Sequence, residues 1–413
     1  MRPALGVTEP GAIAFAVSMA KKYTEGEVQK VLVALNSGMY KNAFTCGIPN
    51  SNEVGNVFSA ALGVVAGNPE KGLESLENVT EDDNVKAEVL VKEGKIEVVL
   101  DHVGSEITID ATVTTDKDEC TVRIAGGHTD IYYIEKNGEV LFEEERKVQG
   151  GEEAEVLIHN YTLEEILSYI NDVDVQEIRF IGDAFVMNME LLQEGLESDR
   201  TTFAPLLMKK NGDVLISNDE VKTAQLLCNG AIEARVLGLN KPAMSITGSG
   251  AHGIIATLPL YAYQQIHKET VSEEMLLRAT ALSYLITMYI KEYSGKLSAF
   301  CGCGIAAGTG MACGLGYMQD GDVEMLTRVI CNMASGLTGM ICDGGNQGCT
   351  MKGIVAVDAA FRAVEMAKEG VSIYPVHGIN GKTPEETMRN MGLIASPGMT
   401  ATEKTIVEIM QDK

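Results

Sequence analysis

Two cysteine groups near the C-terminal end of the chain place thiols among glycines. The first reads Cys301-Gly-Cys303-Gly-Ile-Ala-Ala-Gly-Thr-Gly, and the second reads Cys342-Asp-Gly-Gly-Asn-Gln-Gly-Cys349. Backbone that is rich in glycine can wrap closely around a bulky inorganic group, because glycine has no Cβ. Thiolates are the usual ligands of iron–sulfur clusters. If three of these thiols hold one cluster, the fourth iron stays open as a Lewis acid that binds a leaving group.

The spacing alone leaves three interpretations of these cysteines open. Zinc sites usually draw on two Cys-x2–4-Cys pairs or on histidine, whereas the spacings here are Cys-x-Cys and Cys-x6-Cys. The pattern therefore favours an iron–sulfur cluster over zinc, with metal-free thiols as the third interpretation. Other cysteines lie inside regular strand or helix patterns, and we expect them to fill the core; they are Cys120, Cys228, Cys313 and Cys331.

The segment Thr8-Glu9-Pro10 is predicted to begin a helix, with Thr8 as its N-cap. Free N–H groups at a helix start can receive a substrate carboxylate, so Thr8 is a candidate substrate-binding residue. Glu9 is a candidate catalytic base if burial raises its pKa towards neutrality. The alternative for both residues is plain helix capping.

Three other polar segments are candidates for substrate contacts. The loop Asn50-Ser51-Asn52-Glu53 offers groups for the ammonium and carboxylate of an amino acid, or it is an ordinary polar turn. Gly248-Ser249-Gly-Ala-His252-Gly is typical of a tight, anion-binding turn, in which Ser249 would bind substrate. His252 is the favoured histidine for acid–base catalysis, with a structural histidine as the alternative. Lys352 is a candidate to pair with a carboxylate or with the charge of a cluster; otherwise it is a surface lysine.

Composition excludes several classes of function. The chain has 413 residues, 45% of them apolar, and a formal net charge of −25, so we expect no nucleic-acid partner. No apolar run reaches the roughly 18 residues of a membrane span, and the first residues lack the apolar core of a signal peptide. Nine cysteines that cluster late in the chain do not fit a secreted disulfide framework. We therefore predict a cytoplasmic protein that does not act at a membrane.

The elements that position these residues are predicted from periodicity. Residues 1 to about 80 are interpreted as helical, with glycine-rich loops. From about 84 to 146 the pattern alternates as in strands, including Val85–Val91 and Lys95–Leu100 around a turn at Gly94, and Asn137-Gly138 is a hairpin signal. Later helices are marked by N-terminal caps, which we predict at Thr162, Thr270 and Thr383.

These segments predict an α+β fold. We expect a mainly helical catalytic domain built from residues 1–80 and 205–413, with an inserted antiparallel-sheet α+β domain of residues 81–204.

Several segments resemble the L-cysteine desulfidase family, which is related to the iron–sulfur L-serine dehydratases. They are Arg2-Pro-Ala-Leu-Gly-Val-Thr-Glu-Pro, Gly248-Ser-Gly-Ala-His-Gly, Leu297-Ser-Ala-Phe-Cys-Gly-Cys-Gly-Ile-Ala-Ala-Gly and Met340-Ile-Cys-Asp-Gly-Gly-Asn-Gln-Gly-Cys-Thr-Met-Lys. The resemblance implies an oxygen-sensitive [4Fe–4S] cluster on three cysteines and β-elimination from a small amino acid, such as cysteine to pyruvate, ammonia and sulfide. By motif position Cys342 and Cys349 match two ligands. The third is Cys301 or Cys303, and we prefer Cys303. The segment Gly126-Gly-His128-Thr-Asp also resembles the family, with a solvated hairpin as the alternative.

Position 7 departs from the family pattern. Relatives typically read Gly-Cys-Thr-Glu-Pro, and that cysteine is thought to be the catalytic base, whereas this chain has Val7. An isopropyl group neither accepts a proton nor binds iron. The chain then recruits another base, acts on another substrate as a serine-type dehydratase, or is a non-catalytic protein that binds a cluster or a small anion. A homodimer is compatible with the sequence, which does not fix the oligomeric state.

Overall fold

The computed structural model describes residues 1–146 and 156–413 and has a mainly helical α+β fold, which confirms the predicted fold class. The helices of the described ranges are α1 (Thr8–Lys22), α2 (Ser37–Ala43), α3 (Gly55–Ala66), α4 (Glu81–Lys92), α5 (Leu163–Asp172), α6 (Val175–Ile178), α7 (Gly182–Glu197), α8 (Phe203–Lys210), α9 (Glu220–Val236), α10 (Gly250–Ile266), α11 (Glu273–Ser294), α12 (Gly308–Tyr317), α13 (Val323–Leu337), α14 (Gly348–Lys368), α15 (Pro384–Leu393) and α16 (Thr400–Gln411). A π-helical turn, Cys303–Ala307, leads directly into α12.

The strands form two sheets. They are β1 (Arg2–Leu5), β2 (Val28–Asn36), β3 (Ile96–His102), β4 (Thr108–Thr115), β5 (Glu119–Ala125), β6 (Ile131–Lys136), β7 (Glu139–Glu143) and β8 (Pro242–Ser245). The larger sheet has the order β3-β2-β4-β5-β6-β7, in which β2 and β3 are parallel and the other neighbours are antiparallel. The sheet is therefore mixed, and the prediction of a purely antiparallel sheet is wrong, because helices α2, α3 and α4 lie between β2 and β3 in the chain and allow a parallel crossover. The small sheet pairs β1 with β8 and so joins the start of the chain to the segment before α10.

Side-chain alternation explains why the larger sheet packs on one face. In β4 the apolar residues Ile109, Ala111 and Val113 are fully buried, while Asp110 and Thr112 between them are partly exposed. The predicted hairpin turn is confirmed, because Asn137 and Gly138 both have positive φ and connect β6 to β7.

Two predictions for the first hundred residues are wrong. The segment Val85–Val91 lies within helix α4, not in a strand. Thr80 and Asp83 form a capping box that starts the helix, and Ala87, Leu90 and Val91 lie on its inner face at helical spacing. Residues 1–80 also contain strands β1 and β2, although we expected only helices there.

The predicted helix caps have mixed outcomes. Thr162 makes a capping box at the start of α5, and Thr383 accepts a hydrogen bond from Glu386 N–H at the start of α15, so both caps are confirmed. The cap predicted at Thr270 is wrong, because Ser272 accepts the bond from Met275 N–H at the start of α11. Two hydroxyl residues precede that helix, and local sequence does not distinguish between them.

The helical layer packs through small residues. Gly310 of α12 lies so close to α11 that a Cβ would overlap the carbonyl of Ser283. The cysteines expected in the core are buried there, namely Cys120, Cys228, Cys313 and Cys331. The division into residues 1–80 with 205–413 and residues 81–204 stays a prediction, and β2 brings residues 28–36 into the sheet. None of the described helices is both long and apolar enough to cross a membrane.

Candidate active site

A cleft of about 410 Å³ opens where the first turns of α1 and α10 face the two cysteine segments. Many of its lining residues carry polar or charged side chains, and they come from distant parts of the chain. Six of the residues predicted as site residues line it, namely Thr8, Glu9, Ser249, His252, Cys303 and Cys342. The loop between β5 and β6 closes one side with His128, and α11 contributes Lys291.

Backbone pairing brings the two cysteine segments side by side. Phe300 and Ile341 form an antiparallel bridge. On either side of it, Cys301 N–H donates to Met340 O at 3.1 Å and Cys342 N–H donates to Ala299 O at 2.6 Å. The glycines that follow keep this region free of Cβ atoms, and a side chain at Gly304 would lie 3.7 Å from Cys301 Sγ.

The four thiols lie close enough to influence one another. A hydrogen bond from the Cys303 thiol lowers the pKa of Cys301 to about 7, and the same bond together with burial raises the pKa of Cys303. Cys349, in the first turn of α14, donates to Gly344 O at 3.4 Å. Burial, with the nearby charges of Cys342 and Cys301, raises its pKa to about 11. Cys303 and Cys342 thus line the cleft, and Cys301 and Cys349 lie near them without lining it.

Three lysines surround the thiols. Lys352 is paired with Asp343. Burial lowers the pKa of Lys352, but the hydrogen bond to Asp343 and the charges of the nearby thiols together raise it above its ordinary value. Lys41 is completely buried and donates to Cys342 O at 3.1 Å. Lys291 faces the cleft, and burial lowers its pKa to about 8 despite the charges of nearby thiols. Cations in this arrangement favour thiolates and other anions.

Glu9 is a buried carboxylate in the first turn of α1. Its Oε1 accepts a hydrogen bond from Asn42 Nδ2 at 2.9 Å and lies 3.8 Å from His128 Nε2. Burial alone would raise the pKa of Glu9, but His128, Asn42 and the charge of Arg235 lower it to about 2. The expectation of a raised pKa is therefore wrong, because cationic and N–H groups outweigh the loss of solvent. Glu9 is ionised at neutral pH and is a weak base.

His252 has the opposite environment. Its Nδ1 lies 2.6 Å from Thr247 Oγ1, and its side chain is buried between the cleft and α11. Burial, followed by the charges of Lys291 and Arg235, lowers its pKa well below the ordinary value. His252 is therefore neutral at physiological pH. A Cβ at Gly302 would lie 2.7 Å from His252 Nε2, so the missing side chain lets the imidazole approach the cysteine segment.

The two helix starts in the cleft are tied together. Val7, not Thr8, is the N-cap of α1, and the Thr8 hydroxyl donates to Gly248 O at 3.3 Å. The cap predicted at Thr8 is therefore wrong by one residue. Gly248 has a φ of +80°, which permits the tight turn before α10. Ser249 is the N-cap of α10 but makes no side-chain capping bond.

The loop at residues 50–52 lies outside the cleft, and its assignment to substrate binding is not supported by its contacts. Asn50 Nδ2 donates to Glu77 O at 2.7 Å, and the Ser51 hydroxyl donates to Asn84 in α4. Asn52 is exposed to solvent. The polar groups of this loop connect it to α4 and to the segment before that helix, and Asn84 Nδ2 also donates to the backbone oxygen of Asn50 at 3.0 Å.

Sequence reasoning missed Lys41, Asn42 and Lys291. Lys291 follows Met-Tyr-Ile within an apolar helix. A lysine on a helix face that is otherwise buried is unusual, and this could have marked Lys291 as a candidate site residue. Lys41 and Asn42 carried no such signal, because their partners lie far away in the chain.

Within residues 1–146 and 156–413, no three His, Cys, Asp or Glu side chains converge closely enough to hold a single metal ion. The zinc alternative therefore has no preformed site in this part of the protein. A cube-shaped cluster differs in its geometry, because each thiolate binds a separate iron.

Comparison with known proteins identifies the family. The family described as serine dehydratase alpha chain matches residues 70–408. A UPF0597 protein of Clostridium botulinum strain Langeland is 40% identical over 416 residues, covering 99% of this chain and 96% of the relative. The UPF0597 protein of Caldanaerobacter subterraneus is 38% identical over 412 residues, covering 100% and 96%. That of Clostridioides difficile strain 630 is 35% identical over 417 residues, covering 100% and 97%. The predicted relationship to serine dehydratases is thus confirmed, and this chain belongs to the serine dehydratase alpha chain family.

Proposed function

We propose that the protein is an iron–sulfur-dependent lyase that eliminates the β-substituent of a small amino acid. The observation that carries this proposal is a group of four neighbouring thiols, two of which line a cleft that also presents Glu9 and His252. Membership of the serine dehydratase alpha chain family supports the same reaction class.

The residues around the thiols fit a [4Fe–4S] cluster. Thiolates are its usual ligands, and the nearby lysines would balance its negative charge. The glycines at 302, 304, 344 and 345 let neighbouring side chains and backbone pack closely against the two cysteine segments. We assign Cys303, Cys342 and Cys349 as ligands. We prefer Cys303 to Cys301 as the third ligand, because Cys303 lines the cleft, whereas Cys301 is 2% exposed and is hydrogen-bonded to Cys303. When bound, the cluster would supply an open iron as a Lewis acid for the leaving group.

The cleft residues can bind an amino acid as a zwitterion. Glu9 stays ionised, and its Oε2 accepts no hydrogen bond from the described residues, so it is available to the substrate ammonium. The substrate carboxylate would face Lys291 and the N–H groups at the start of α10 beside Ser249. This arrangement exposes the α-hydrogen to the imidazole of His252.

His252 is our candidate for the base, because its lowered pKa keeps the imidazole neutral with a lone pair at physiological pH, whereas the Glu9 carboxylate is already engaged by Asn42 and His128. In the tautomer whose Nδ1–H donates to Thr247 Oγ1, the lone pair of Nε2 is free to accept the α-proton. The bond from the β-carbon to the leaving group then breaks, and the leaving group departs with the electron pair. The resulting aminoacrylate tautomerises to an imine, and water converts it to an oxoacid and ammonia. A histidine base removes the need for a cysteine at position 7.

The leaving group is a hydroxyl or a thiol. Resemblance to the cysteine desulfidases favours a thiol, and the family description favours a hydroxyl, as in serine. Val7 supports the second candidate, because it lacks the thiol that cysteine desulfidases have at this position.

The test is turnover by protein that is purified and assayed without oxygen. Pyruvate is measured with L-serine and with L-cysteine, and sulfide with L-cysteine. We expect the wild type to form pyruvate from at least one of the two amino acids. This activity should be lost in Cys342→Ser and retained in the core control Cys228→Ser. A cluster with no turnover of either amino acid would favour the non-catalytic alternative, and protein without a cluster would refute the proposal.

A further inference from the structure

One buried ammonium group contacts three separate segments of the chain. Lys41 Nζ donates to Ser298 O at 3.0 Å and to Cys342 O at 3.1 Å, and it lies 3.2 Å from Glu403 Oε2. The Lys41 side chain is 0% exposed and that of Glu403 is 5% exposed. An ammonium has three N–H groups, so one N–H group can point towards each of these three partners.

The two carbonyl partners lie on the two cysteine segments. Ser298 precedes Cys301 by three residues, and Cys342 is itself a proposed ligand. Between them the segments are joined by the Phe300–Ile341 bridge. Lys41 therefore provides a second connection between the same two segments, independent of the backbone ladder.

The carboxylate that balances Lys41 comes from the C-terminal helix α16. In the described part of the chain neither oxygen of Glu403 accepts a well-aligned hydrogen bond, so the ion pair with Lys41 is its compensation. A buried ion pair is weak evidence for stability, because apolar residues of similar size often serve as well. Retention of both charges at this place points to a positional role.

We propose that Lys41, balanced by Glu403, is a positioning residue that sets the spacing between the Cys301–Cys303 segment and Cys342. The C-terminal helix is then part of the cofactor site. This inference rests on the proposed role of the cysteines as cluster ligands.

The test uses a double variant that separates position from stability. Lys41→Met with Glu403→Leu removes both buried charges together, so no charge is left unpaired and we expect the variant to fold. We expect its iron and sulfide to be lost about 10-fold more readily to a chelator than those of the wild type, as for other outer-shell partners of metal ligands. The matched control is Glu408→Gln, which removes an exposed carboxylate from the same helix, where it lies 3.7 Å from Lys404.

A second measurement needs no cluster. In the metal-free protein, the ratio of the alkylation rates of Cys303 and Cys342 reports the relative exposure and ionisation of the two thiols, which depend on where their segments lie. We expect this ratio to change several-fold in the double variant and in Glu403→Gln, but not in Glu408→Gln. If the wild type holds no iron, the proposed function is refuted. The alkylation ratio can still be measured in that case, and it decides whether Lys41 positions the two cysteine segments. Wild-type cluster retention in the folded double variant, or an unchanged ratio, would overturn the inference.

Discussion

Replacement of Glu9 by glutamine tests the electrostatics of the cleft. The substitution keeps the shape of the side chain and removes its charge. Glu9 lies against His128 and accepts the amide of Asn42, and these contacts hold its pKa at about 2 although the residue is buried. The wild-type protein therefore gains stability from this carboxylate that Glu9→Gln does not gain.

The size and the pH window follow from the pKa. The difference between the ordinary value of 4.5 and about 2 corresponds to about 3 kcal/mol, at about 1.36 kcal/mol for each pKa unit. Between these two values the unfolded chain binds a proton that the folded protein does not bind. The stabilisation is therefore complete above pH 4.5 and is lost as the pH falls towards 2.

The assay is the free energy of unfolding by urea, measured for both proteins at a series of pH values from 7 to 3. The free energy of the wild type should fall more steeply below pH 5 than that of Glu9→Gln, and the two curves should converge by about 2 kcal/mol at pH 3, since the rest of the stabilisation is lost only at lower pH. Glu408→Gln, which changes an exposed side chain in α16, serves as the control and should follow the wild type. Parallel curves for wild type and Glu9→Gln would refute the assignment of Glu9 as a stabilised carboxylate.

Three further substitutions test the site. Gly302→Ala should lower kcat by about 100-fold in folded protein, because the new Cβ would lie 2.7 Å from His252 Nε2 and displace it; an unchanged kcat would contradict the role of His252. Val7→Cys should raise sulfide release from L-cysteine if the missing thiol limits that reaction, since Val7 packs against Gly345 of the second cysteine segment; equal sulfide release would show that it does not. Cys349→Ser should abolish iron binding, whereas Cys228→Ser should change only stability, by about 1–2 kcal/mol; equal iron contents would contradict the ligand assignment.

Local sequence predicted those parts of the fold that have local causes. The capping boxes, the Asn137-Gly138 hairpin and the alternation of β4 each depend on residues a few positions apart. The same local reasoning failed at Val85–Val91. Five of these seven residues are apolar, and such a dense apolar segment fits the two-residue period of a strand as well as the 3.6-residue period of a helix. The capping box at Thr80 decided in favour of the helix.

The candidate site was predictable in its residue types but not in its contacts. Glycine-flanked cysteines are visible in the sequence, and so is the tight turn before His252. The lowered pKa of Glu9 depends on His128, which lies 119 positions further along the chain and reaches the cleft on the β5–β6 loop. The contacts of Lys41 with Cys342 and Glu403 span even longer separations, which no periodic pattern records.

The central claim is that three cysteines hold one [4Fe–4S] cluster beside the cleft. The most direct measurement is the iron and acid-labile sulfide content of protein purified without oxygen, alongside Cys342→Ser. We predict about four iron and about four sulfide atoms for each wild-type chain, and neither in the variant. Wild-type protein without sulfide, or a Cys342→Ser variant with the full complement of iron, would contradict the claim.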